Sequence, residues 1–303
     1  MILRDFMRIR MSHVAHFATL DERPRIRPAR IGTAIALALV SVGVSGVSAA
    51  PPAIPTGPQP SFADLADLAV GAPLVAHVRV TRAAALEAAR APGVAPGMSR
   101  VFVEADTVGV VAGPALGEKV RFLLDVPVDA RGHVPKLKGR ELVIAAEPAP
   151  DRPQDLKLTN PTAAIDWTPA VDASLRAILS EALAPGAPPK ITGIREASYV
   201  AGNLAGEGET QIFLNTATQE PATLTVLHRP GEPLQWGVAW GEIVDQSAKP
   251  PAPATLGWYR LACGLPESLP AEAQLSDDPQ SRAIAAADFA AIRKALGPCG
   301  RTR

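Results

Sequence analysis

Two glutamates set between glycines, in the run GEGETQIFLNT at 206–216, are the carboxylates whose spacing comes closest to a chemical site. Glu207 and Glu209 are two residues apart, so both could project the same way as paired hydrolytic acids or as ligands for a cation or a basic group. Catalytic pairs are held rigidly, whereas Gly206 and Gly208 permit the positive φ of a chain reversal. The pattern favours a hairpin loop leading into a strand, with both glutamates as candidate ligand-binding residues and no residue assigned as catalytic.

Two tryptophans in the run WGVAWG are the other candidates for ligand binding. Trp236 and Trp240 alternate with small residues, so in a strand they share one face with Val238. Exposed indoles could form a platform for a sugar or peptide, and buried ones would fill a core that has few other aromatic residues. The opposite face, with Gly237 at its centre, is bare enough for another backbone to approach it.

No other motif predicts chemistry. The histidines outside the first 50 residues, His77, His133 and His228, are far apart, and no HExxH, GxSxG, Walker or Rossmann pattern occurs there. Asp125 and Asp129 are four residues apart near a turn, but a calcium site needs a denser set of oxygens, so we interpret them as a polar turn. The sequence predicts no metal and no cofactor.

The first 50 residues predict export. Seven arginines precede residue 31, and the segment 31–50 then carries no charge and ends in small residues. This is typical of a signal peptide, here residues 1–49 with cleavage after Ala49, followed by a proline-rich linker at 50–60. The expected location is periplasmic or secreted. The alternative is an uncleaved anchor at 31–47, which would be the protein's only association with a membrane.

Removal of this leader changes the balance of charge. Seven of the 30 basic residues and three of the 30 acidic residues precede residue 50, so 23 and 27 remain. The remaining chain is mildly acidic and has no basic stripe, which argues against a nucleic-acid partner.

Two cysteines, Cys263 and Cys299, are the only ones in the sequence. An even pair in an oxidising compartment predicts a disulfide. The alternative, a redox-active or metal-binding pair, lacks a CxxC motif and a nearby histidine.

The fold expected from the pattern is mainly β with a few helices, in two small antiparallel β domains. Residues 61–168 open with a short helix, FADLADLA, and continue with about five short strands, which predicts a β-barrel-like domain of which an OB-like barrel is one version. A helix at 169–184 follows, with Thr168 as its cap and Pro169 as its first residue.

A second proline-rich linker at 185–190 marks the expected domain boundary. Residues 191–303 predict a disulfide-bearing sheet or sandwich whose strands include TLGWYRLAC at 255–263. They close with a helix from about Pro279 to Leu296, which Gly297 and Pro298 terminate.

The run GEGETQIFLNT together with WYRLACGLP and LGPC resembles a group of exported proteins from alphaproteobacteria that has no known activity. The resemblance implies export and no particular chemistry. With no catalytic constellation in view, the sequence favours a non-enzymatic envelope protein that binds a partner protein or small ligand. The alternative is an envelope hydrolase that uses Glu207 and Glu209 beside an exposed platform of Trp236 and Trp240.

Overall fold

The computed structural model describes residues 59–241 and 248–302. This part of the chain is mainly β and contains a closed five-stranded barrel, a four-stranded antiparallel sheet and a C-terminal helix, which confirms the predicted fold class. The predicted signal peptide at 1–49, the alternative anchor at 31–47 and most of the linker at 50–60 lie outside the described residues. None of the helices in the described ranges is long and apolar enough to cross a membrane.

Six strands build the first sheet: β1 (Leu74–Ala85), β2 (Met98–Ala112), β3 (Lys119–Pro127), β4 (Glu141–Ala149), β5 (Arg152–Leu158) and β6 (Ala164–Asp166). Their order is β1-β2-β3-β5-β4-β6, and β1 also pairs with β4, so β1 to β5 close into a barrel. Neighbours run antiparallel except β3 and β5, which are parallel. Closure pairs both sides of β1 to β5, which removes the exposed edges that an open five-stranded sheet would leave, and short β6 remains at the side of β4.

The two helices that the sequence predicted on either side of these strands are present, and both pack against the barrel. In α1 (Phe62–Val70), Ser61 and Asp64 exchange hydrogen bonds in a capping box. In α2 (Pro169–Leu183), the Thr168 hydroxyl accepts from the Val171 backbone N–H. The face of α2 that packs inward carries Val171, Leu175 and Ile178, while Leu183 at the end of the helix is exposed.

The second sheet has the order β10-β9-β8-β7, with all pairs antiparallel. Its strands are β7 (Ile191–Ala201), β8 (Gly208–Thr216), β9 (Ala222–His228) and β10 (Gln235–Trp240). One face of this sheet, which we call the inner face, packs on α4 (Pro279–Leu296) through a core that includes Ile212, Leu224 and Phe289. The opposite face is the outer face. The terminal helix has the predicted bounds.

The segment Leu256–Gly264 is a helix, α3, so the prediction of a strand at 255–263 was wrong. Its aromatic and apolar residues suggested a strand by type, but Thr255 caps the helix by accepting from the Trp258 backbone N–H. Leu256 and Tyr259 are both buried, three residues apart, which is helical spacing. The hydrogen-bonded cap and the helical period outweigh the strand preference of the individual residues.

Helix α3 also joins the two sheets. Trp258 packs against both cores, and the Glu181 carboxylate on α2 accepts from the Leu256 backbone N–H at 3.0 Å. The described residues belong to one compact unit. The division into separate domains at 185–190 stays a prediction.

The predicted disulfide joins Cys263 at the end of α3 to Cys299. Beyond it, two residues bind carboxylates on α1. Arg301 donates to both oxygens of Asp67 at 2.6 and 3.0 Å, and Thr302 donates to Asp64 through its hydroxyl at 2.6 Å. We call these contacts the Arg301–Thr302 clasp.

Buried Tyr259 supports the clasp by donating its hydroxyl to Asp67 at 2.5 Å. Burial, followed by this hydrogen bond to Asp67, raises the pKa of Tyr259 to about 12. The phenol therefore stays protonated, and able to donate, throughout the physiological range of pH.

The clasp predicts a pH-dependent stability. Burial alone would raise the pKa of Asp64, but hydrogen bonds from Thr302 and Ser61 outweigh it and hold the pKa below its usual value. A lowered folded-state pKa contributes stability above the unfolded value of about 3.9, and this stability is lost as pH falls through the folded-state value. We expect Asp64→Asn to cost about 1 to 3 kcal/mol at neutral pH.

Urea unfolding across acidic pH tests this expectation. The difference between the wild-type protein and the Asp64→Asn variant should shrink as the pH falls below about 4. A difference that stays constant down to the lowest pH would contradict the assignment of the effect to the Asp64 carboxylate.

Candidate functional site

A groove of about 510 Å³ on the second sheet contains both sequence-predicted glutamates. It extends over β7, β8 and β9 and the loop that joins β7 to β8. We call it the outer-face groove. The side chains that the argument below uses are Ser198, Val200, Glu207, Glu209, Gln211 and Leu227.

The strand register fixes the floor of this groove. Val200 on β7 and Leu227 on β9 both pair with Glu209 on β8, so the carboxylate lies between two apolar side chains. Ser198 pairs with Gln211 in the next row. The Gln211 amide donates to Glu209 Oε1 at 2.8 Å, which orients the carboxylate.

Glu207 has a structural contact in the loop. Its Oε2 accepts from the Leu204 backbone N–H at 3.3 Å, and its side chain lies against Gly202, where a Cβ would approach it to 2.5 Å. Backbone hydrogen bonds between Gly202 and Glu207 and between Glu207 and Leu204 close the loop. Glu207 lines the groove at its loop end, and Glu209 is the carboxylate on the strand.

Gly206 and Gly208 are required for different structural reasons. Gly206 has φ +83°, as predicted for the reversal. Gly208 does not adopt a positive φ, so that part of the prediction was wrong. It is needed because a Cβ at Gly208 would lie 2.3 Å from the Tyr199 hydroxyl oxygen.

The groove carries an excess of negative charge. Two carboxylates, those of Glu207 and Glu209, line it together with one guanidinium group, that of Arg229. Arg229 is itself 3.7 Å from Glu232, and both side chains of this pair are about half exposed. The lining therefore suits a ligand with a positively charged group.

The tryptophans do not lie beside the glutamates. Trp236 pairs with Val226 and Trp240 with Ala222, which places both indoles on the inner face with Val238. Both are partly buried and pack against the core beneath the sheet. Their shared face and the close approach at Gly237, where a Cβ would lie 2.2 Å from the Ala248 carbonyl oxygen, confirm the predicted alternation.

A polar cluster that the sequence did not reveal borders the groove at His228 and extends to α4. Asp288 on α4 is buried and accepts from the Thr210 hydroxyl, and it lies 2.8 Å from His228 Nε2. The Thr210 side chain is buried, and the His228 ring meets Tyr199 edge to face at 5.6 Å. This cluster links α4 to the loop end of the sheet that carries the groove. Only the pairing of β8 with β9 and the position of α4 reveal it.

The other polar residues singled out in the sequence have partners of their own. His77 bonds Glu141 at 2.9 Å and stacks on Trp167, and His133 contacts Asp129 at 3.2 Å. Asp125 lies within β3 and pairs with an arginine, so it is not part of a turn with Asp129. In the described ranges, no group of three or more His, Cys, Asp or Glu side chains is placed to hold a metal ion.

A second, shallower groove of about 370 Å³ lies on the barrel. Phe102 and Leu123 are cross-strand partners there. Asp155 in this groove contacts both Arg121, at 2.6 Å, and Arg152, at 3.3 Å. The Asp155 carboxylate is thus already paired with two guanidinium groups. For this reason we place the candidate site in the outer-face groove.

A comparison of the sequence with models of known protein families found no match, and a comparison with curated proteins found no significant match.

Proposed function

We propose that the protein is an exported, non-enzymatic binding protein that holds a positively charged group of its ligand in the outer-face groove. The position of Glu209 carries this proposal: a carboxylate oriented by Gln211 lies between Val200 and Leu227 at the floor of a groove. Apolar neighbours reduce the screening of that carboxylate by water, which strengthens its attraction for an amine or guanidinium.

The chemistry of the groove side chains suggests how such a ligand is recognised. Val200 and Leu227 offer apolar contact to the aliphatic part of a lysine-like or arginine-like chain. Glu209 then pairs with the charged end, and Ser198 can accept or donate a hydrogen bond in the next row.

The arrangement gives less support to the envelope hydrolase. That function needs two carboxylates facing one another across a bond and an aromatic platform beside them. The Glu207 carboxylate instead contacts the loop backbone, and Trp236 and Trp240 pack on the other side of the sheet. We therefore retain binding as the proposed function.

Export is part of the proposal. It is supported by the leader pattern in residues 1–49 and by the disulfide between Cys263 and Cys299, since such bonds persist in oxidising compartments. These two features together support a periplasmic or secreted location.

Binding of a lysine side chain by the protein expressed from the full chain tests the function. Nα-acetyl-lysine amide, observed by NMR titration, should bind more tightly than the norleucine analogue, which lacks only the ammonium group. Glu209→Gln should weaken binding of the lysine compound about tenfold, equivalent to about 1.4 kcal/mol, because it removes the charge and keeps the shape. Added salt should weaken the wild-type interaction.

Glu118→Gln is the matched control, because Glu118 is an exposed glutamate beside β3 on the barrel and lies outside the groove. It should leave binding unchanged. Equal affinity for the lysine and norleucine compounds, or equal loss in the Glu118→Gln variant, would refute the proposal.

A further inference from the structure

Strand β7 lies at the edge of the second sheet, next to the outer-face groove. The Gly202 backbone N–H donates to the Glu207 backbone carbonyl, so the backbone groups of Gly202 point toward the β8 side. Those of Val200, two residues earlier, point the same way. Antiparallel strands alternate in this way. The backbone groups of Ala197, Tyr199 and Ala201 therefore point away from β8, toward the open side of the edge.

The protein already uses part of this edge to bind an extended segment. The Ala197 carbonyl accepts from the Leu275 backbone N–H at 3.0 Å, and Ala197 pairs with Gln274 in a parallel bridge. This pairing stops after one residue. In the described ranges no backbone partner is found for Tyr199 or Ala201, and the Val200 side chain between them is 66% exposed.

We propose that an extended peptide of a partner protein adds to β7 at Tyr199 and Ala201 and places a basic side chain over Val200 toward Glu209. The inference rests on the proposed function, since it uses the same carboxylate. Four unpaired backbone groups of β7 would bind the peptide main chain, as in other cases of strand addition.

The distance across the sheet suits this arrangement. Strands lie about 4.8 Å apart, so an added strand would be about 10 Å from β8. A lysine or arginine of the peptide opposite Val200 extends toward β8, and the Glu209 side chain extends from β8 toward the peptide. Together the two side chains span this distance. Because alternate side chains of a strand point to the same face, the preferred peptide alternates basic residues with others. The acidic lining selects against an acidic peptide.

Ala201→Pro tests the edge specifically. It removes the outward N–H at 201, while the β7 to β8 ladder keeps its donors at Val200 and Gly202. We expect this variant of the full chain to bind an end-blocked peptide of alternating valine and lysine about tenfold more weakly than the wild-type protein, measured by calorimetry or fluorescence anisotropy. Ala201→Val retains the N–H and should bind like the wild-type protein.

Two further probes separate this inference from the proposed function. Nα-acetyl-lysine amide uses the groove side chains and none of the backbone groups of the edge, so it should bind the wild-type protein whether or not a peptide adds to β7. A peptide with N-methyl groups on the edge-facing residues should bind the wild-type protein weakly, which tests the backbone pairing without any variant. The matched valine and glutamate peptide should also bind weakly.

The inference is overturned if the N-methylated and unmodified peptides bind equally well, even when the lysine compound binds. It is also overturned if light scattering shows a dimer of this chain that Ala201→Pro dissociates and the peptide does not. Failure of the lysine compound together with the peptides would refute the proposed function itself.

Discussion

Replacing both Cys263 and Cys299 by alanine is expected to lower the free energy of unfolding by about 4 kcal/mol. The two residues are 36 positions apart, and the bond between them restricts the unfolded chain by closing that loop. In the folded protein the bond also fixes the segment after α4 to the end of α3. Urea unfolding of the variant and of the oxidised wild-type protein measures the difference.

The wild-type protein treated with a reductant provides the control. It should lose as much stability as the double variant, and the variant itself should not respond to the reductant. If reduction changes the urea midpoint of the wild-type protein by no more than that of the variant, the disulfide does not contribute the stability assigned to it.

Arg100→Ala is expected to destabilise the protein far more than the loss of an exposed ion pair would, because it leaves a buried carboxylate without its counter-charge. Arg100 and Asp125 are cross-strand partners on β2 and β3, joined by two hydrogen bonds of 2.7 and 2.8 Å. Asp125 is only 7% exposed. The hydrogen bonds that Arg100 donates to Asp125 raise the pKa of Arg100 above its usual value. Thermal and urea unfolding would measure the loss.

Arg140→Ala is the matched comparison. Arg140 also donates to both oxygens of an aspartate, Asp166, but both side chains are more than a third exposed. An exposed pair contributes about 0 to 1 kcal/mol, so this variant should remain close to the wild-type stability. Equal losses in the two variants would show that burial of Asp125 is not the cause. The double variant Arg100→Met, Asp125→Leu should recover most of the stability, since neither charge remains.

Elements defined by local signals could be predicted from the sequence. Helix α4 begins at Pro279 and stops before Gly297, and the alternation around Val238 correctly placed Trp236 and Trp240 on one face. Helix α3 was missed because its residue types favour a strand, although Thr255 and the spacing of Leu256 and Tyr259 are helical signals. The parallel pairing of β3 with β5 depends on contacts between distant segments, which leave no local pattern.

The candidate site shows the same limit. The sequence identified Glu207 and Glu209 but could not tell that the first contacts the loop backbone while the second lies between two strands. That distinction depends on the register of three strands. The contacts of Asp288 could not be predicted for the same reason, since its partners Thr210 and His228 are 78 and 60 residues away in the sequence.

The Arg301–Thr302 clasp has a consequence for the order of folding. Asp67 and Asp64 on α1 are separated from Arg301 and Thr302 by 234 and 238 positions. A ribosome makes α1 before these partners, so α1 acquires its full set of contacts only after the rest of the described chain has been synthesised. Such distant contacts form slowly compared with local ones. Both carboxylates thus lack their Arg301 and Thr302 partners until almost the whole described chain has been made.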